Sequence, residues 1–188
     1  MRLIYFFIIL IVFSCNSQNS KRKKEIEIFQ KEVLRRRENR KKEILKNIEG
    51  RDLFSLKNVI NDSILSLNEY NFILLYNGAD CFTCIERSFQ LLSDFENRLE
   101  LSFLVIGTNT NVSNEQINYN YSKYIYYDAE EQIRRELSLV PTPIMLVINK
   151  KFKIEKACFP HVNEGLEEQE EFINYLYSIM NFVIFDSN

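Results

Sequence analysis

Two cysteines, Cys81 and Cys84, stand two residues apart in the stretch YNGADCFTCIERSF, at the boundary between two patterns of apolar residues. Before them, residues 71–77 (NFILLYN) form a short apolar run closed by Gly78, the signature of a strand buried in a sheet. After them, Ile85, Phe89, Leu92 and Phe95 recur at intervals of three and four, which marks a helix with one core-facing stripe starting near Thr83. The pair thus lies at a strand-to-helix junction. Three chemistries fit such a pair: a redox couple, half of a metal site, or a structural staple.

Further apolar runs extend the pattern. Residues 101–107 (LSFLVIG) read as a second buried strand, so the helix becomes a crossover and the two strands should be parallel with a right-handed connection. A polar loop is expected over TNTNVSNEQINYN, then a short strand around YIYYD and a helix over residues 129–137 (AEEQIRREL). Residues 144–148 form another apolar strand, 149–151 a turn, and 152–159 an alternating strand, which together predict a hairpin. Residues 164–180 read as a last helix with Phe172, Tyr175, Leu176 and Ile179 on one face. Five tyrosines in NYNYSKYIYYD fit either a ligand platform or an edge strand with one wet face, and the edge strand accounts for them without a ligand.

The two ends of the chain differ in charge. Residues 21–49 carry 12 basic and 6 acidic residues with no Gly or Pro, whereas residues 50–188 carry 11 basic and 20 acidic. This reads as a basic helical spacer, able to rest near anionic lipid, followed from Gly50 by an acidic folded domain. Ahead of it, Arg2 is followed by eleven apolar residues, Leu3 to Phe13. As a helix that run rises about 16 Å against roughly 30 Å of hydrocarbon, so it suits a signal-peptide core and is too short to span a membrane. Residues 1–14 are therefore read as a signal peptide. An exported chain argues against nucleic acid as a partner, and no phosphate loop or Ser-His-Asp set is visible.

The residues Val12-Phe13-Ser14-Cys15 resemble the lipobox of bacterial lipoproteins, in which a small residue precedes a cysteine that is lipidated and becomes the mature N-terminus. The resemblance implies that Cys15 is the lipidation site and that the mature chain is tethered to a membrane in the cell envelope, facing the periplasm or another extracytoplasmic space. With Cys15 set aside, Cys81, Cys84 and Cys158 remain in a compartment where disulfides persist.

The order of strand, Cys-x-x-Cys at a helix start, strand, helix, proline-bearing loop, hairpin and helix resembles the thioredoxin fold over roughly residues 50–188. It is most similar to the membrane-anchored, envelope-facing thiol–disulfide oxidoreductases of bacteria. The motifs that carry the resemblance are Cys81-Phe82-Thr83-Cys84 and Thr142-Pro143. It implies an α/β, three-layer sandwich with a mixed central sheet behind the charged stalk. The implied activity is disulfide exchange with protein substrates, in the direction of reduction, with a redox donor protein to reset the pair and no cofactor. Cys81 would be the nucleophile, since free N–H groups at a helix start favour a thiolate, and Cys84 the resolving thiol one turn later. Thr142 and Pro143 would form the cis-proline loop that holds an extended substrate; Pro141 competes for that place, but Pro143 has the better spacing to Asn149. The chain departs from the family at three points: Asp80 before the first cysteine, where a carboxylate opposes thiolate formation; Phe82-Thr83 between the cysteines; and Leu75 in place of a buried acid.

Two other readings use the same residues. The returning hairpin strand should bring Cys158-Phe159-Pro160-His161 toward the pair, which permits a Cys3His-type zinc or copper site from Cys81, Cys84, Cys158 and His161. Alternatively, the pair is a structural disulfide in a binding module. For Cys158 alone the simpler account is a small core residue.

Overall fold

The computed structural model describes the backbone of residues 2–60, 69–160 and 166–186, and the side chains of these from residue 22 onward apart from 112–113, 166–168 and 181–186. The chain divides into two units, residues 1–43 and 44–188.

In the first unit the backbone is the body of helix α1 (Arg2–Ile48), as a stretch without Gly or Pro allows. Its described surface carries charged residues beside exposed Ile26, Ile28, Phe29 and Leu34; Glu32 pairs with Arg35 at 3.0 Å and with Arg36 at 2.9 Å, and these two guanidinium partners hold the Glu32 carboxyl below its ordinary range. Cys15 falls outside the described side chains. Among the described residues no helix is long and apolar enough to cross a membrane.

The second unit is built on a five-stranded sheet of order β3-β2-β1-β4-β5. Strand β1 (Tyr70–Asn77) lies at its centre, parallel to β2 (Phe103–Thr108) and antiparallel to β4 (Ile144–Asn149). Strand β3 (Ile125–Tyr127) adds to β2 in parallel, and β5 (Ile154–Cys158) returns antiparallel to β4. Helix α3 (Phe82–Leu99) makes the predicted crossover from β1 to β2.

The two-residue period of a strand decides the layers. Ile73 and Leu75 of β1 point to a face covered by the last turn of α1 (Leu45, Ile48), by α2 (Leu56–Val59) with its neighbours Leu53 and Ile60, and by α5 (Gln132–Glu136). Leu74 and Tyr76 point to the other, covered by α3 and by α6 (Leu166–Asp186) through Phe172, Leu176 and Ile179. Each fully buried Leu or Ile contributes roughly 1.5–3 kcal/mol. The result is a three-layer α/β sandwich with a mixed sheet and thioredoxin-like topology.

Three expectations need correction. The segment expected as a polar loop after β2 contains a helix, α4 (Val112–Asn118), because Asn111 caps it by accepting from the Asn114 N–H at 3.3 Å. The helix expected over residues 129–137 is only α5: Asp128, buried, takes the N–H groups of Gln132 and Ile133 at 3.0 Å each, and so delays the start. The alternation beginning at Phe152 overstates the hairpin strand. Phe152 sits in the turn with φ of 65°, where the Asn149 side-chain oxygen accepts from the N–H groups of Lys151 and Lys153, and β5 starts only at Ile154. The tyrosines lie on and around β3, an edge strand, with Tyr124 and Tyr126 packed edge to face at 4.8 Å.

Candidate functional site: a dithiol turn facing a cis-proline loop

β1 ends at Asn77, and the next four residues are wound into a turn by side chain and backbone together. Asp80 N–H donates to the Asn77 carbonyl at 2.8 Å, Ala79 N–H to Asn77 Oδ1 at 2.8 Å, and Asn77 N–H to Asp80 Oδ2 at 2.8 Å. Gly78 is required there: a Cβ would run into the Asn109 carbonyl and into Thr110, since the turn lies directly against the loop after β2.

Cys81 follows in extended conformation as the N-cap of α3. Its Sγ accepts from the Cys84 N–H at 3.2 Å and lies 3.6 Å from Thr83 Oγ1, so free donors of the first helical turn converge on this sulfur. Cys81 and Cys84 are joined by a disulfide, their Cα atoms 5.2 Å apart. Cys81 is exposed and Cys84 half-buried. Of the two sulfurs, that of Cys81 is the more open to solvent.

The Thr142-Pro143 peptide bond is cis, and Pro143 is buried while Pro141 is exposed. Thr142 Oγ1 donates to Asp80 Oδ1 at 3.0 Å, which ties the proline loop to the residue next to Cys81. Thus Cys81, Cys84, Thr142 and Pro143 belong to one locality, built from the ends of β1 and β4 and the start of α3.

Cys158 is placed differently. It pairs in register with Met145, near the proline loop as the returning strand requires, but its side chain is fully buried on the α3–α6 face, with Sγ 3.6 Å from the Phe159 carbonyl. His161 lies outside the described residues. Among the described residues no three His, Cys, Asp or Glu side chains gather as metal ligands.

Several participants had no mark in the sequence reading. Asn77 donates through Nδ2 to Glu131 Oε1 at 2.8 Å; Glu131 pairs with Arg134 at 3.1 Å; and Arg134 Nε donates to the Val140 carbonyl at 3.3 Å. Asn77-Gly78-x-Asp80 and Glu131-x-x-Arg134 are the local signals for the turn and the ion pair. Their meeting is not local.

The exposed ring of Phe82, between the cysteines, lies 5.7 Å from that of Tyr119, which stacks on Phe89 at 4.9 Å. Beneath this stack Tyr76 is buried, and its hydroxyl has no hydrogen-bond partner among the described residues. Gly107 makes room for it, since a Cβ there would lie 2.8 Å from that hydroxyl. Burial, with the charge of Glu115 adding to it, pushes the Tyr76 phenol well above its ordinary value, and the same causes push Tyr119 up to about 12. Between about pH 10 and each raised value the unfolded chain has lost a proton that the native state keeps, so stability falls as pH rises through that window. Tyr76→Phe removes an unpaired buried hydroxyl and should raise stability by about 1 kcal/mol at neutral pH, with a larger advantage above pH 10. Urea unfolding at both pH values measures it, and a loss of stability at neutral pH would refute it.

No family model and no curated sequence matches this chain. Solved structures do resemble it. A thioredoxin-like protein in its oxidised form is 12% identical with a TM-score of 0.47, over 63% of this chain and 84% of the other. A secreted disulfide oxidoreductase of Mycobacterium tuberculosis, described as homologous to E. coli DsbE, is 12% identical with a TM-score of 0.44, over 58% and 81%. The thioredoxin domain of a thiol–disulfide oxidoreductase from Bacteroides vulgatus is 9% identical with a TM-score of 0.44, over 61% and 83%. At such identities and scores the likeness is one of chain path, and the thioredoxin-like fold assigned to this chain rests on its own strand order, its Cys-x-x-Cys helix start and its cis Thr142-Pro143 bond.

Proposed function

We propose that the protein is a thiol–disulfide oxidoreductase that reduces disulfides in protein substrates outside the cytosol, tethered through a lipidated Cys15. The observation that carries this reading is an exposed Cys81, capping a helix and joined to a half-buried Cys84, next to a cis-proline loop. A structural staple does not need the outer sulfur open to solvent at a helix start.

In the proposed cycle the reduced pair presents Cys81 as thiolate. Its sulfur attacks one sulfur of a substrate disulfide, forms the Cys81–substrate bond, and expels the other substrate sulfur, which takes up a proton. Cys84 then gives up its proton and attacks Cys81 Sγ, and the second substrate thiol leaves. Two electrons have passed to the substrate. The Cys81–Cys84 disulfide is the end of that half-reaction, and a donor protein must reduce it for another round. The loop of Thr142 and Pro143 holds the substrate strand in register with Cys81.

Equilibrating the protein in glutathione buffers tests the couple. The pair should titrate as a single two-electron couple, and the reduced form should accelerate reduction of a disulfide-bonded protein. A pair that stays oxidised in excess dithiothreitol under native conditions would mark a structural disulfide and end this reading. For the tether, the expected result is a lipid-sized mass increase on the mature N-terminal peptide, absent from Cys15→Ser.

A further inference from the structure

We propose that Asp80 is a positioning residue for the exchange reaction, one that locks the proline loop to the dithiol turn and biases the Cys81–Cys84 pair toward donating electrons. This rests on the exchange reading and adds to it a residue that sets its reducing direction.

Both oxygens of the Asp80 carboxylate are engaged, each with a different element. Oδ2 accepts from the Asn77 N–H at 2.8 Å and closes the turn that presents Cys81, while Oδ1 accepts from Thr142 Oγ1 at 3.0 Å and holds the loop. A second route joins the same two elements: the Asn77 side chain reaches Glu131 at 2.8 Å, Glu131 holds Arg134 at 3.1 Å, and Arg134 reaches the Val140 carbonyl, two residues before Thr142, at 3.3 Å. The links form a closed ring through the chain, so the loop cannot shift against the dithiol turn without breaking at least one of them. Such a frame keeps a substrate strand and the attacking sulfur in one geometry, which is where rate is gained.

The charge acts separately. The two hydrogen bonds fix a carboxylate on the residue adjoining Cys81, and a fixed negative charge weighs against the anionic sulfur of the reduced pair. The helix-start donors at Cys81 Sγ favour that anion; Asp80 offsets them. A couple whose reduced form is less stabilised gives up its electrons more readily.

The two roles separate in two variants of the full chain. In the glutathione equilibrium, two glutathione thiols deliver two electrons and two protons to the disulfide and leave as oxidised glutathione. Asp80→Asn should shift that equilibrium about tenfold toward the dithiol, about 30 mV, and alkylation of reduced Cys81 should reach half its limiting rate at lower pH. Thr142→Val keeps the charge and cuts the tie. Its equilibrium should stay within about twofold of the parent, while kcat/KM for a protein disulfide falls about tenfold. Should Asp80→Asn fail to fold, Asp80→Ser, which also removes the charge, repeats the first test. An unchanged equilibrium and pH profile in the uncharged variants would overturn the bias, and an unchanged kcat/KM in Thr142→Val would overturn the tie. If the parent reduces no protein disulfide while Asp80→Asn still shifts the equilibrium, the exchange reading fails and the effect of Asp80 on the couple stands.

Discussion

Cys84→Ser should accumulate as a mixed disulfide through Cys81 when the reduced protein meets an oxidised substrate, and Cys81→Ser should lose exchange by at least about a thousandfold. The asymmetry comes from position on the helix. Cys81 caps α3 with its sulfur exposed, and Cys84 is half-buried one turn on; in the proposed cycle Cys81 is the sulfur that meets substrate and Cys84 attacks only Cys81. Without Cys84 the first bond forms and nothing inside the molecule removes it. Without Cys81 the remaining sulfur is recessed and lacks the converging Thr83 and Cys84 donors. Non-reducing electrophoresis and peptide mass analysis read the adduct, and turnover of a disulfide-bonded protein reads the loss. Equal trapping by both single variants would contradict the assigned roles.

The largest stability effect is expected at the α6 face of the sheet. Phe172 is fully buried, with its ring 6.3 Å from that of Phe95, which in turn stacks on Phe103 at 6.1 Å. This chain of rings joins α6 to α3 and to β2. Phe172→Ala removes the ring and leaves a cavity between three elements that cannot all close on it, so it should cost about 3–5 kcal/mol. That is a large share of the total stability of a domain this size. Chemical denaturation of the oxidised protein measures it, with Tyr177→Ala on the exposed side of the same helix as a control expected within about 0.5 kcal/mol. A loss below about 1 kcal/mol for Phe172→Ala would show that α6 contributes little to the core.

Much of the fold was legible because an unbroken apolar run records a strand buried on both faces and a three-to-four-residue stripe records a helix buried on one. Residues 71–77, the stripe from Ile85 to Phe95, and the run from Ile144 onward each announced their element. Errors arose where a polar side chain overrode the apolar pattern. Asn111 starts a helix in a segment with no apolar stripe, and Asp128 captures two N–H groups and shortens the next helix. The site was partly legible too: the cysteine pair and the second proline were visible, and Thr142-Pro143 is the cis bond.

Apolar pattern and spacing were enough for the α/β class, the helix start at the cysteines and a buried strand over residues 71–77, and the family resemblance picked Pro143 over Pro141. Tertiary structure alone decided that Asp80 holds Thr142 across a separation of 62 residues, that Asn77 reaches Glu131 across 54, and that Cys158 turns into the core. The difference is one of range. Periodicity and capping act within a few residues and leave their trace there, whereas a hydrogen bond between distant side chains depends on where packed sheets and helices bring two chain ends.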